Sequence, residues 1–262
     1  MPAADIRKAN TEGNMPDYQM TLMDRQRIAR DTMAFWLDTN GTSYLFRAGQ
    51  HADFTFLQPS PEHAADYSRT FSLANSPQDK GRVMIALRMR QTGFKTALKA
   101  AALGTKFQVS GPRGSFTLHK EATRPAVFLA GGIGITPMRS ILHWAAQARL
   151  PHKLYLFYSN RHLEDAAFLG ELEDLAVQNP QFIFIPTLTG VESPAWPYEH
   201  GPIDHGLLTR YLQSLHGPVY YAAGPSGMVA AMTSLLHSAG VSDDDIKTEE
   251  FGDYKQYQSA GQ

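Results

Sequence analysis

The chain has 262 residues, 43% of them hydrophobic and 19% charged, a globular balance that excludes collagen-like and wholly disordered chains. It contains no cysteine, which removes disulfide frameworks, thiolate zinc sites, cysteine nucleophiles and cysteine-held iron–sulfur clusters from these residues. The net charge of −1 is uneven: Lys and Arg outnumber Asp and Glu 13 to 8 from Met15 to Leu118 and are outnumbered 15 to 8 from His119 to Tyr254. Such asymmetry suggests two domains with different ligands or partners.

The first 14 residues are polar and lack the apolar stretch of a signal peptide, so they are expected to be a flexible tail. No apolar run approaches the roughly 18 residues that span a bilayer. A cytoplasmic chain without membrane insertion is expected, and no charge pattern or module motif supports nucleic-acid binding.

From Met15 to Leu118, short β-rich runs alternate with turn-rich stretches. The runs are Met33–Leu37, His51–Leu57, Thr70–Ala74, Val83–Met89 and Phe107–Val109, with a helix-like segment at Phe94–Leu103. Several short strands at this spacing predict an antiparallel β-barrel. After His119 the pattern changes to continuously apolar strands at Ala126–Ala130, Lys153–Ser159, Phe182–Pro186 and Val219–Ala223. Helical patterns intervene or follow at Met138–Ala148, Ala166–Ala176, Leu207–Leu215 and Met228–His237, which predicts a parallel α/β sheet covered on both faces. Thr189–Gly206 reads as a long loop carrying solvated His200 and His205; Ile246–Phe251 reads as a last strand and residues 255–262 as a frayed tail.

The first parallel strand runs into Gly131-Gly132-Ile133-Gly134-Ile135-Thr136-Pro137. Glycines there let backbone amides approach a diphosphate, and the following helix adds its positive end. Thr136 is expected to cap that helix and Pro137 to suit its first turn. The spacing is not G-x-G-x-x-G, which disfavours a standard Rossmann dehydrogenase.

Four further segments join this turn: Arg69-Thr70-Phe71-Ser72, Gly111-Pro112-Arg113-Gly114, Ala223-Gly224-Pro225 and the C-terminal Glu249-Glu250-Phe251-Gly252. In this order they resemble the ferredoxin–NADP reductase superfamily, over roughly Met15 to Tyr254. The resemblance implies a flavin-binding barrel over 15–118 and an NAD(P)-binding α/β domain over 119–254. It implies that Arg69 pairs with flavin phosphates, that Phe71 stacks on the isoalloxazine, and that Ser72 lies near N5; Thr70 belongs to the same motif. Gly93, Phe94, Lys95 and Thr96 match the segment whose amides and hydroxyl hold the flavin diphosphate, favouring FAD over FMN. Nicotinamide would lie across Gly131, Gly132, Gly134, Thr136 and Pro137 on one side and Ala223, Gly224, Pro225 and Met228 on the other. Glu249 would stand beside the reacting rings, with Phe251 covering the flavin.

Two residues depart from the common family pattern. Ala223 stands where cysteine is frequent, and Phe71 replaces the commoner tyrosine, losing a hydroxyl and weakening flavin retention. His51 matches a family barrel position and reads as an ordinary strand histidine, while Arg88 receives no role. Ser159 and Arg161 follow the second parallel strand, where the adenosine ribose binds; an arginine there leans towards the 2′-phosphate of NADPH over NADH. No histidine spacing resembles a metal site and no G-x-S-x-G elbow is present.

The implied activity is an NAD(P)H-dependent reductase passing electrons from FAD to an external acceptor such as an acidic ferredoxin, a flavodoxin or an oxygenase component. A free-standing flavin or quinone reductase and a non-catalytic flavin-binding subunit are the alternatives.

Overall fold

The computed structural model describes residues 17–58, 67–90, 92–190 and 196–251. The expected tails at 1–14 and 255–262, and Gly252 of the C-terminal motif, lie outside them. The first six strands are β1 (Asp17–Ala29), β2 (Thr32–Asp38), β3 (His51–Phe56), β4 (Ser68–Ser72), β5 (Arg82–Arg88) and β6 (Lys106–Arg113). They form an antiparallel sheet in the order β4-β3-β6-β1-β2-β5. The sheet curls until its two edges meet, where the Ala74 amide donates to the Met84 carbonyl at 2.8 Å.

Alternation explains the barrel locally. In β3, Ala52, Phe54 and Phe56 are buried while His51, Asp53 and Thr55 face outward. Helix α1 (Gly93–Ala100) closes one end, turning Phe94 and Leu98, one helical turn apart, into the core. The Phe94 ring packs in tilted contact with Phe56, centroids 5.0 Å apart, and with Phe71, 5.6 Å apart.

The second half contains β7 (Ala126–Gly131), α2 (Ile135–Gln147), β8 (Leu154–Asn160), α3 (Leu169–Gln178), β9 (Phe182–Leu188), β10 (Glu199–His200), α4 (His205–Tyr211), β11 (Val219–Gly224), α5 (Ser226–Ser238) and β12 (Ile246–Glu250). The sheet is parallel, in the order β10-β9-β8-β7-β11-β12. Side chains of α2 and α3 pack with Phe128, Tyr158 and Tyr221 on one face. Those of α4 and α5 pack with Leu129, Phe157 and Tyr220 on the other. Every residue of β7 and β11 is buried, as the unbroken apolar runs predict. From β7 the chain winds out through β8 and β9 and then returns to β11 on the opposite side. The crevice beyond the C-terminal ends of β7 and β11 is therefore a topological switch point, where open α/β sheets bind ligands.

One strand is not read from the sequence and two local expectations are corrected. β1 gives no signal in the sequence because only Met20 and Leu22 of its 13 residues are buried, so its outer half carries no alternation. Thr136 does not cap α2: it lies inside the first turn, buried, with its hydroxyl donating to the Ile133 carbonyl. The long loop is shorter than expected, because Glu199–His200 pairs with β9 and His205 begins α4, which Asp204 caps through the Leu207 amide. Residues 191–195 lie outside the described residues.

Candidate functional site

The nucleotide side of the site follows from close packing of two turns. A Cβ on Gly134 would fall inside 3.0 Å of the Ala223 carbonyl oxygen, and one on Gly131 inside 3.0 Å of the Met228 sulfur. Only glycine lets the turn after β7 lie against Ala223-Gly224-Pro225. No side chain caps α2 or the tight helical turn Gly132–Gly134 that leads into it, and the Ile135 amide is already taken by the Gly132 and Ile133 carbonyls, so any phosphate-binding amides belong to the glycine turn itself. Thr136 and Pro137 are buried in that first turn, and Met228 is half-buried at the start of α5. Ser159 stands level with Gly131 across the sheet, and Arg161 is exposed just beyond β8.

The flavin side is carried by β4 and α1. Phe71 is half-buried, 6.0 Å from Phe54 and 5.6 Å from Phe94. Arg69 donates through Nη1 to the Ser68 carbonyl at 2.7 Å. The hydroxyl of Thr70 is turned to Asp53, which also pairs with Arg113, so that side chain is engaged within the barrel. Phe94 is fully buried, leaving only its backbone for a ligand, whereas Thr96 is exposed. Thr92, which sequence reasoning passed over, precedes Gly93 with a buried hydroxyl that has no partner, and it does not cap α1. Lys95 donates to the Arg88 carbonyl at 2.9 Å. Burial and the neighbouring Arg90 and Arg69 bring its pKa down to about 8. Cations crowded at a helix N-terminus, with an orphaned hydroxyl beside them, fit an incoming diphosphate. Lys95→Met is therefore expected to weaken retention of added FAD by about tenfold, the worth of one charge-assisted hydrogen bond, as read by equilibrium dialysis. Undiminished retention would remove Lys95 from the site.

The halves meet at Ser72 and Glu249. Ser72, buried at the end of β4, donates through Oγ to Glu249 Oε1 at 2.8 Å, and β12 holds Glu249 opposite Ala223 of β11. Glu249 Oε2 is buried without a partner. Burial raises the Glu249 pKa, against the lowering effect of the Ser72 hydrogen bond. His51 lies beside this pair, its Nδ1 4.0 Å from Glu249 Oε1. Burial and the charge of Arg113 depress its pKa, against Asp53. A Cβ on Gly114 would reach 2.8 Å from the His51 ring, so the Gly-Pro-Arg-Gly turn makes room for it. The Phe251 amide donates to the Gly224 carbonyl at 2.9 Å, and its half-buried ring packs against the parallel-sheet core.

Arg88 also has a role that the sequence did not show. With Arg30 it pairs with Asp165, at 2.9 and 2.8 Å, across the domain boundary. Among the described residues no group of His, Asp and Glu could hold a metal, and no helix is long and apolar enough to cross a membrane.

A barrel with a cationic helix end, facing a parallel sheet with a glycine-lined crevice, defines a two-domain flavin- and nicotinamide-binding oxidoreductase. Residues 19–118 match the family model of an oxidoreductase FAD-binding domain and residues 128–234 that of an oxidoreductase NAD-binding domain. The chain belongs to the ferredoxin–NADP reductase superfamily. It is 31% identical over 202 residues to a subunit of the Na(+)-translocating NADH-quinone reductase of Klebsiella pneumoniae, covering 70% of this chain and 49% of that protein. It is 27% identical over 238 residues to the phenol hydroxylase P5 protein of Acinetobacter pittii, covering 90% and 65% respectively. A solved cytochrome P450 reductase from Amycolatopsis superposes with a TM-score of 0.78 at 25% identity, over 94% of this chain and 74% of that one. The chain thus spans about half to two thirds of the length of the first two of these relatives.

Proposed function

We propose that this chain is an NAD(P)H-dependent flavoprotein reductase that delivers electrons to an external acceptor, an oxygenase component, ferredoxin or flavodoxin. The observation that carries this is the Ser72–Glu249 hydrogen bond, which joins the flavin-motif strand to β12 beside Ala223, where both cofactor sites open. Bound FAD supplies the conversion of a two-electron hydride donor into single-electron deliveries. The chain's own residues position and polarise. Phe71 offers a ring face, the amides of α1 and of the glycine turn before α2 receive phosphates, and Ser72 holds a proton that Glu249 accepts as a hydrogen bond. Buried walls around Ser72 and Ala223 keep water from the meeting point.

The excess of basic residues from Met15 to Leu118 suits an acidic partner. The names of the phenol hydroxylase protein and the cytochrome P450 reductase support an oxygenase component as the acceptor class. A cytoplasmic location goes with the use of that compartment's reduced nucleotides.

For the nucleotide, Arg161 is exposed beyond β8; of the two acids that follow, Asp165 is committed to Arg30 and Arg88, while Glu164 is exposed three residues on. That arrangement favours the 2′-phosphate of NADPH. The test is anaerobic mixing of the FAD-loaded chain with each nucleotide, followed by transfer to ferricyanide and to a ferredoxin. Wild type is expected to use NADPH at the lower concentration. Arg161→Glu should raise the KM for NADPH about tenfold, by loss of a charge-assisted contact, and leave NADH little changed. An unchanged preference would remove Arg161 from nucleotide selection, and no reduction by either nucleotide would refute the reductase.

A further inference from the structure

Asp165 stands between two loops that serve different cofactors. Its side chain is only 5% exposed. Arg30 meets it with two donors, Nε at 3.1 Å and Nη2 at 2.8 Å, and Arg88 with one at 2.9 Å. Oδ2 also accepts from the His162 amide at 3.2 Å, and the Arg30 amide donates to the Glu164 carbonyl at 2.6 Å.

Each partner leads to a site. The Arg88 carbonyl takes the Lys95 ammonium, and Arg88 is followed within five residues by Gly93 and the start of α1. His162 follows Arg161 at the end of β8. That loop is gripped from its other side by Gly190, whose amide donates to the Arg161 carbonyl and whose missing Cβ would collide with the His162 ring. Asp165 is therefore the joint by which the loop after β8 hangs from the segment leading into α1.

We infer that Asp165 is a positioning residue that sets the nucleotide-ribose loop in register with the flavin-diphosphate loop, and so sets the distance over which hydride passes. This rests on the reductase reading above. The two arginines are about two-fifths exposed, so solvent and salt screen the pairs partly, and their value lies in geometry more than in net stability. Misplacement by about 1 Å can cost on the order of 10²-fold in rate.

The test uses the full FAD-loaded chain and compares wild type with Asp165→Asn, Asp165→Glu and Arg88→Met. At saturating nucleotide, Asp165→Asn is expected to slow flavin reduction about tenfold or more, with flavin content unchanged. The nicotinamide–flavin charge-transfer absorbance should be weaker. Adding Arg88→Met to Asp165→Asn should cost little more, because both changes break one joint. Asp165→Glu should recover part of the rate, and salt at about 1 M should slow wild type but not Asp165→Asn. Independently of turnover, hydrogen exchange at the Arg30 and His162 amides should rise about tenfold in Asp165→Asn. A wild-type rate in Asp165→Asn, or a loss matched wholly by lost flavin, overturns the positioning role. Wild type that no nucleotide reduces overturns the reductase reading and this inference with it, whereas a reducible wild type with an equally fast variant overturns this inference alone.

Discussion

Gly134→Ala is expected to lose nucleotide binding and to destabilise the α/β domain by about 3 kcal/mol or more, the upper range for overpacking a core. The added Cβ would meet the Ala223 carbonyl oxygen and carbon and lie 2.6 Å from the Gly224 amide nitrogen. All three are backbone atoms of buried residues, so no side-chain rotation relieves the clash and the turns after β7 and β11 must part. That parting opens the crevice on which the nicotinamide site depends. Gly132→Ala, two residues away, is the control. Its Cβ has open space, but its φ of +52° disfavours an L side chain, so a cost of about 1–2 kcal/mol with nucleotide binding retained is expected. Thermal melting and equilibrium nucleotide binding read both. A Gly134→Ala chain that melts and binds like wild type would mean that the two turns are not in contact.

Glu249→Gln is expected to separate stability from turnover. In the folded chain the Glu249 pKa lies above its ordinary 4.5 because burial penalises the carboxylate. The folded state therefore binds more protons than the unfolded state between the two pKa values. Stability from this group is highest below 4.5 and falls as pH rises through the folded value, so the acid is a burden wherever it is ionised in the fold. Glutamine keeps an acceptor for Ser72 and removes the charge. The variant should be at least as stable as wild type at neutral pH, and it should lose this contribution to the pH dependence of stability above 4.5. Flavin reduction by nucleotide should nonetheless fall roughly 10²-fold, the lower range for a proton-handling group, with its pH profile flattened. A variant of wild-type rate and pH profile would exclude Glu249 from flavin reduction.

Much of this architecture was legible because burial writes itself into composition. The unbroken apolar run Ala126–Ala130 and the alternation of His51–Phe56 required a two-sided buried strand and a one-sided one, and both are present. The glycine turn was legible because close backbone approach admits no substitute. What escaped is tertiary. β1 has too few buried positions to alternate, and a polar strand is held by its neighbours. Thr136 resembles a cap in sequence, but the helix begins a residue before it and its hydroxyl turns back to Ile133. Thr92 and Asp165 are ordinary polar residues whose meaning comes from what lies beside them, an uncapped helix end in one case and two arginines 135 and 77 positions earlier in the other. His51 reads as a strand histidine until β12 brings Glu249 to it.

The most direct measurement is the anaerobic visible spectrum of the FAD-loaded chain, titrated separately with NADPH and NADH. The assignment predicts a bound-flavin spectrum that bleaches stoichiometrically, with NADPH acting at the lower concentration. Flavin bands left unmoved by both nucleotides would contradict the reductase and leave a flavin-binding subunit, and a chain that takes up no FAD would contradict the site itself.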